Sequence, residues 1–277
     1  MISGKTQLLA HIGYPTESFK APLIYNPWFD KAGIDAVVVP MGVRAEDYPA
    51  TLKALSRFTN LRGALVTMPH KVTTVGLVDE CTTTAKIAGS CNAVLLRPDG
   101  TLLGDMFDGT GFTRGLKRKG FAFAGARCLV VGSGGVGSAI AASLAAEGVP
   151  SLSLCDTNAR SVEGLATRLR QHYPDLDVDI RSSDPAGYDL VVNGTPLGMK
   201  PSDPLPIDVA RLAPSTFVGE VVMKQEITPL LQAAREKGCR YQVGTDMLFE
   251  MIPAYLEFFG FGTATPEQLR AVAKVAY

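Results

Sequence analysis

The segment Val130-Val131-Gly132-Ser133-Gly134-Gly135-Val136-Gly137-Ser138-Ala139 places its glycines in the order G-x-G-x-x-G between two different periodicities. Before it lies an apolar, strand-like run, residues 127–131; after it lies a small-residue helical pattern, residues 138–147. A strand that turns directly into a helix needs backbone room. Gly132 permits the tight turn, Gly134 lets the main chain approach a pyrophosphate, and Gly137 lets the helix close on the strand with its first N–H groups facing the anion. Ser133, Gly135 and Val136 complete this expected dinucleotide cradle. The next strand-like run, 151–156, ends at Asp156, nineteen residues past Gly137, where a carboxylate can bond a ribose 2′-hydroxyl.

Asp156 repels a 2′-phosphate, and Thr157 beside it supplies no cation. NAD is therefore expected in preference to NADP, with Arg160 near enough to keep NADP use open. A plainer reading makes Asp156 or Asn158 the N-cap of the following helix.

Working outward, the second half keeps a βαβ rhythm. Strands are expected at 127–131, 151–156, 177–181, 189–193, 217–221 and 240–243, with a clear helix at 158–172 whose stripe is Val162, Leu165, Ala166 and Leu169. The first half reads as strands at 7–12, 36–39 and 63–67, apolar on both faces as in a covered sheet. A helix at 45–58 would bury Leu52, Leu55 and Phe58, a hairpin is expected from 91–96 and 101–104 around Pro98-Asp99-Gly100, and a linker helix at 110–119. The C-terminal stretches 247–259 and 266–277 are helical in pattern and return to the first domain. The fold class is α/β with two domains: an N-terminal α/β substrate domain, 1–111 plus 246–277, and a Rossmann-type NAD(P)-binding domain, 112–245.

Among the 277 residues, 27 basic and 27 acidic side chains cancel, and no basic block appears. Nucleic acid or an anionic membrane held by bulk electrostatics is thereby disfavoured, and the expected partner is a small molecule. Hydrophobic residues at 46% against charged residues at 19% exclude a disordered chain. Five scattered cysteines and three distant histidines give neither a disulfide framework nor metal-ligand spacing, so no metal is expected. With no basic-then-apolar leader and no run of about 18 apolar residues, a cytoplasmic protein is expected, monomer or homodimer.

Further strings occur in order: Gly13-Tyr14-Pro15 followed by Pro22 and Asn26; Val66-Thr67-Met68-Pro69-His70-Lys71; Gly89-Ser90-Cys91-Asn92-Ala93; Asp108-Gly109-Thr110-Gly111-Phe112; Asn193-Gly194-Thr195-Pro196-Leu197-Gly198-Met199; Thr228-Pro229-Leu230-Leu231; and Gly244 with Met247-Leu248. Together they resemble the shikimate/quinate dehydrogenase family over almost the whole chain. The resemblance implies a substrate domain first, a nicotinamide-binding domain second and an active site in the cleft between them. It assigns Lys71 and Asp108 as the catalytic pair, places Thr67 and Asn92 on the substrate, and extends the cofactor site to Asn193, Thr195, Pro196, Val221 and Gly244. The chemistry agrees: oxidising a secondary alcohol needs a group that manages the hydroxyl proton, and a lysine held by a carboxylate in a closed site can do so. His70 reads as a structural neighbour of Lys71, and Cys91 as packing.

The departures from the family cluster on substrate contacts. The family's Ser-x-Ser-Pro, whose hydroxyls hold the substrate carboxylate, is here Phe19-Lys20-Ala21-Pro22. Its Asn-Thr before the aspartate is Met106-Phe107, its tyrosine is Met223, and its glutamine aligns with Met251 or Phe249. Phe19, Ala21 and Met251 are thus the expected altered substrate contacts. The expectation is an NAD(P)-dependent oxidoreductase of the shikimate dehydrogenase type, weak on shikimate itself or turned toward a related cyclic hydroxy acid or a less polar alcohol. Two alternatives stay open: a catalytically weak NAD-binding metabolite sensor, and a quinate-type dehydrogenase. A folate-linked dehydrogenase fits the glycine turn but not the Asp108 and Asn193 strings.

Overall fold

The computed structural model describes residues 2–17 and 19–275. Among these, one unit runs to Phe107 and resumes at Ile252, and the other spans Asp108–Met251. The first unit contains β1 (Gln7–Gly13), α1 (Pro22–Ala32), β2 (Ala36–Gly42), α2 (Tyr48–Leu55), β3 (Leu61–Val66), α3 (Lys71–Thr74), β4 (Glu80–Cys81), α4 (Thr83–Ala88), β5 (Ala93–Leu96) and β6 (Leu102–Asp105). Its sheet has the order β2-β1-β3-β5-β6-β4. β1 is parallel to β2 and β3, and β5 is antiparallel to β3 and β6, forming the expected hairpin around Gly100. Ala10 and Ile12 of β1 and Ala64 and Val66 of β3 are buried with Tyr48, Leu52 and Leu55 of α2. The pairing Ile12↔Val66 brings the C-terminal ends of β1 and β3 side by side, and with them Gly13 and Thr67.

Local chemistry explains the helix ends. Pro22 opens α1, where its fixed φ helps and its missing N–H costs nothing. The amide of Asn26 bonds both the N–H and the carbonyl of Val38, at 2.7 and 3.1 Å, and so stitches α1 to β2 as a neighbouring strand would.

The second unit begins with α5 (Asp108–Arg118) and continues with β7 (Arg127–Val131), α6 (Gly135–Ala146), β8 (Ser151–Cys155), α7 (Ala159–His172), β9 (Asp177–Ile180), β10 (Leu190–Asn193), β11 (Phe217–Glu220), α8 (Pro229–Glu236) and β12 (Arg240–Gln242). All six strands are parallel, in the order β12-β11-β10-β7-β8-β9. Strand order reverses between β10 and β7, and at such a switch point the strand ends open a ligand crevice. Leu129, Val191 and Val218 of the sheet are buried against Leu230, Leu231 and Ala234 of α8. α9 (Gly244–Phe259) contains the second division between the units, and α10 (Pro266–Arg270) lies in the first unit.

Several expected bounds differ from those observed. The helix expected at 45–58 is only Tyr48–Leu55. The chain leaves it by tighter bonds, Arg57 N–H to Ala54 O and Phe58 N–H to Leu55 O, which turn Phe58 out to 49% exposure. The linker helix starts at Asp108 rather than 110, so the expected boundary after 111 lies inside α5, and the one before 246 lies inside α9. The last helix ends at Arg270, and residues 276 and 277 of its expected span lie outside the described residues. No helix among the described residues is long and apolar enough to cross a membrane, and no group of three or more metal-ligating side chains occurs among them.

Candidate active site

The glycine turn occupies the β7–α6 junction. Gly132 adopts φ 102°, and a side chain there would also press on Gly194 and Thr195. A side chain on Gly137 would collide with the Gly132 carbonyl, so this glycine lets α6 close on β7. Among the described residues, a Cβ at Gly134 would meet nothing within 4 Å, and no side chain caps the first turn of α6. An uncapped N-terminus of a twelve-residue helix, reached over bare backbone, fits a pyrophosphate.

Asp156 braces this loop from the end of β8. Its Oδ2 accepts from the Ser133 N–H at 2.5 Å and the Ser133 hydroxyl at 2.7 Å, and its Oδ1 accepts from the Asn158 N–H at 2.8 Å. Burial raises its pKa, but hydrogen bonds from Asn158, Ser133 and Thr157 outweigh that and leave it lowered. The N-cap of α7 is Asn158, which accepts from Ser161 N–H. The capping role considered for Asp156 is corrected accordingly.

Across the switch point, Asn193 spends its whole amide on its own loop. Nδ2 donates to Leu197 O and Glu220 Oε1, and Oδ1 accepts from the N–H and hydroxyl of Thr195. Pro196 follows on this loop. Glu220 ends β11 fully buried; its Oε1 accepts from Asn193 Nδ2 and from the N–H groups of Val221 and Val222, and its Oε2 accepts from the Thr228 hydroxyl. Burial pushes its carboxyl up, against the lowering effect of these bonds. Gly244 opens α9 where a side chain would collide with the Val222 carbonyl. The structure therefore gathers Gly132, Ser133, Gly134, Gly135, Val136, Gly137, Asp156, Asn193, Thr195, Pro196, Val221 and Gly244 around one end of the parallel sheet.

Asp108 is the first residue of α5, 5% exposed. Its neighbour Gly109 leaves no room for a side chain against the Ala139 carbonyl of α6, and Gly111 does the same against Met251 of α9. Of the two alignments for the missing glutamine, Phe249 is a core residue at 1% exposure, whereas Met251 is half-buried.

In the first unit, Lys71 opens α3 just beyond β3, and its carbonyl accepts from Cys91 N–H at 2.8 Å. The next residue, Asn92, is buried: its main chain bonds Val66 and Asp105, and its side-chain Oδ1 accepts from Phe107 N–H at 2.9 Å. Thr67 donates its N–H to Ile12 O and accepts from His70 N–H. His70 stacks on Tyr48 with centroids 4.1 Å apart and its Nε2 bonds Val43 O, so it belongs to the packing. Cys91 lies buried 3.9 Å from the thiol of Cys81. Ala21 precedes α1, and Phe19 stacks on His11 of β1, centroids 4.1 Å apart.

His11 carries a pH signature. Burial, and then the charge of Lys71, lower its pKa to about 4 from 6.5. Between those values the unfolded chain binds the proton and the folded one does not, so stability is full above 6.5 and declines as pH falls toward 4. Denaturant titrations of the parent and His11→Phe from pH 7.5 to 4 should diverge by roughly 3 kcal/mol. Parallel curves would contradict the buried neutral imidazole.

The comparisons with known proteins agree with this geometry. Residues 11–94 match the family model described as the shikimate dehydrogenase substrate binding domain. A shikimate dehydrogenase (NADP(+)) of Acidiphilium cryptum is 34% identical over 99% of this chain and 98% of its own. The chain belongs to the shikimate dehydrogenase family. Among solved structures, the shikimate 5-dehydrogenase of Listeria monocytogenes, in complex with shikimate and NAD, superposes with a TM-score of 0.91 at 26% identity, covering 98% of this chain and 97% of that one. The quinate dehydrogenase of Corynebacterium glutamicum, in complex with NAD, gives 0.86 at 28% identity over 96% and 98%. As a shikimate dehydrogenase family member, the chain is an NAD(P)-dependent oxidoreductase with two α/β units.

Two buried polar residues, one in each unit, escape the sequence reading. Glu220 left one signal, an acidic side chain inside Phe217-Val218-Gly219-Glu220-Val221-Val222, where burial demands partners. His11, in an apolar strand run, left the same kind of signal.

Proposed function

We propose that this family member is an NAD-preferring dehydrogenase that interconverts a secondary alcohol of a small cyclic hydroxy acid and its ketone, as in the reaction between shikimate and 3-dehydroshikimate, with quinate-type substrates included. The supporting observation is the segment Cys91-Asn92: one residue holds the Lys71 carbonyl and the next holds Phe107 N–H, the residue before Asp108. The backbone of Lys71 and that of the residue before Asp108 are tied in this way to two adjacent residues. When bound, the nicotinamide accepts or returns a hydride at the carbinol carbon. Lys71 Nζ takes the hydroxyl proton on oxidation and returns it on reduction, Asp108 orients the ammonium, and Asn92 and Thr67 orient the hydroxyl. Phe19 and Ala21 present no hydroxyl to a substrate carboxylate, so turnover of shikimate is weak in this reading. The experiment is steady-state formation of the reduced cofactor with shikimate and quinate; high-affinity turnover of shikimate would reject the altered pocket, and no turnover with any cyclic alcohol would reject the activity.

The cofactor preference rests on Asp156, a carboxylate held below its usual pKa by its hydrogen bonds, whose neighbour Thr157 supplies no cation for a 2′-phosphate, although Arg160 follows on the next helix. Like charges brought together cost several kcal/mol, so kcat/KM with NAD should exceed that with NADP by at least about tenfold. Asp156→Asn keeps an oxygen for Ser133 and removes the charge, and should narrow that ratio. An unchanged ratio would assign Asp156 to bracing alone. A cytoplasmic location, as monomer or homodimer, belongs to the same reading.

A further inference from the structure

Inside the glycine turn, the peptide between Ser133 and Gly134 is gripped by two hydroxyls. Its carbonyl, on Ser133, accepts from Ser138 of α6 at 3.0 Å and from Ser161 of α7 at 2.9 Å. Ser138 belongs to the turn's own helix, whereas Ser161 comes from the next one, 28 residues away in sequence. A closed ring of bonds places Ser161. Asp156 Oδ2 accepts from the N–H and hydroxyl of Ser133, and its Oδ1 from the Asn158 N–H. Asn158 Oδ1 accepts from the Ser161 N–H at 3.2 Å, and the Ser161 hydroxyl returns to Ser133. The ring joins the residue after β8, the start of α7 and the glycine turn, all within the second unit.

A trans peptide is planar, and its C=O and N–H point in opposite directions. The Ser133–Gly134 bond is trans. Holding the Ser133 carbonyl therefore aims the Gly134 N–H the other way, away from both hydroxyls. Among the described residues this N–H has no hydrogen-bond partner. Gly134 and Gly135 are both exposed, so the backbone here is open to an incoming group. Gly134 is also the N-cap of α6, and the first N–H groups of that helix have no intrahelical acceptor. A phosphate oxygen at this place meets several donors and the positive end of the helix. A donor whose direction is set before binding loses less freedom when the anion arrives.

Resting on the dinucleotide-binding reading above, we infer that Ser161 is a positioning residue for the cofactor's pyrophosphate: through the Ser133 carbonyl, its hydroxyl aims the Gly134 N–H at a phosphate oxygen. Ser161 acts through that peptide and not by touching the cofactor. The spacing of the three glycines fixes the turn, but nothing in it requires a hydroxyl on the following helix.

The test is calorimetry on the full-length protein with NAD, ADP and adenosine, the last two differing by the diphosphate. Ser161→Ala should weaken NAD and ADP by about three- to tenfold, the effect of one lost hydrogen bond, and leave adenosine unchanged. Ser161→Thr keeps the hydroxyl and should bind all three as the parent does. In steady state the alanine variant should raise KM for NAD by the same factor with kcat unaltered. A hydroxyl that only steadied α7 would lower stability and leave the ratio of ADP to adenosine affinity alone. With adenosine binding undetected, the contrast between Thr and Ala decides alone. The expected binding changes without turnover of any cyclic alcohol uphold the positioning role and reject the dehydrogenase activity. Unchanged ADP affinity in Ser161→Ala, equal losses for ADP and adenosine, a loss in Ser161→Thr as large as in the alanine variant, or no binding of NAD or ADP by the parent overturns the proposal.

Discussion

Replacing Lys71 by alanine should lower kcat by about 10²- to 10⁴-fold, the usual contribution of a positioned acid or base. The fold should tolerate the change, because the bond that Lys71 makes to Cys91 N–H comes from its backbone carbonyl and alanine suits the first turn of a helix. NAD affinity, followed by fluorescence titration, should be unaffected, since the glycine turn proposed to hold the cofactor, Gly132, Gly134 and Gly137, belongs to the second unit. A second readout locates the side chain. Lys71 contributes to the lowered pKa of His11, so that pKa should rise in Lys71→Ala when followed by NMR. A kcat loss below about tenfold would remove Lys71 from the role of proton carrier.

Glu220→Ala should produce the largest loss of stability, about 3 to 5 kcal/mol, measured by denaturant unfolding of the whole chain. The alanine strands four donors at once: the N–H groups of Val221 and Val222, the Asn193 amide and the Thr228 hydroxyl. Each unsatisfied buried donor costs about 1 to 3 kcal/mol, and entry of water into the vacated space offsets part of the sum. Glu220→Gln retains the oxygen that accepts three of these bonds and should cost far less. The loops at Asn193–Pro196 and Val221–Val222 are tied together through this carboxylate, so the alanine variant should also raise KM for the cofactor. Equal effects of Ala and Gln would show that the side-chain oxygen is not what holds them.

The legible parts of the molecule were those whose reasons are local. The glycine turn needed a positive φ at Gly132 and bare backbone at Gly134, and both needs are written into three residues and their spacing. The stripe Val162, Leu165, Ala166, Leu169 announced α7 for the same reason, and all four side chains are buried. Where local signals conflict, the reading failed. α1 went unread because Pro22 and Pro27 interrupt its pattern, yet one proline opens it and the other sits inside it, held by the Asn26 bridge to β2. Phe58 looked like the end of an apolar helical face, and the turn into β3 carries it to solvent.

The site divides along the same line. The cradle, Asp156 and the chain order of Lys71, Asn92 and Asp108 were readable from the sequence, the last three through family strings. That Asn92 grips Phe107, that Glu220 joins Asn193 to Thr228, and that Phe19 lies on His11 were not. By itself, then, the sequence determined two α/β halves, a dinucleotide turn and a shikimate dehydrogenase lineage, because backbone requirements of turns, caps and apolar periodicity act over a few neighbouring residues. Only the tertiary structure decided which buried polar atoms meet. Those partners lie on different strands and loops, and the order and register of the sheets set their distances.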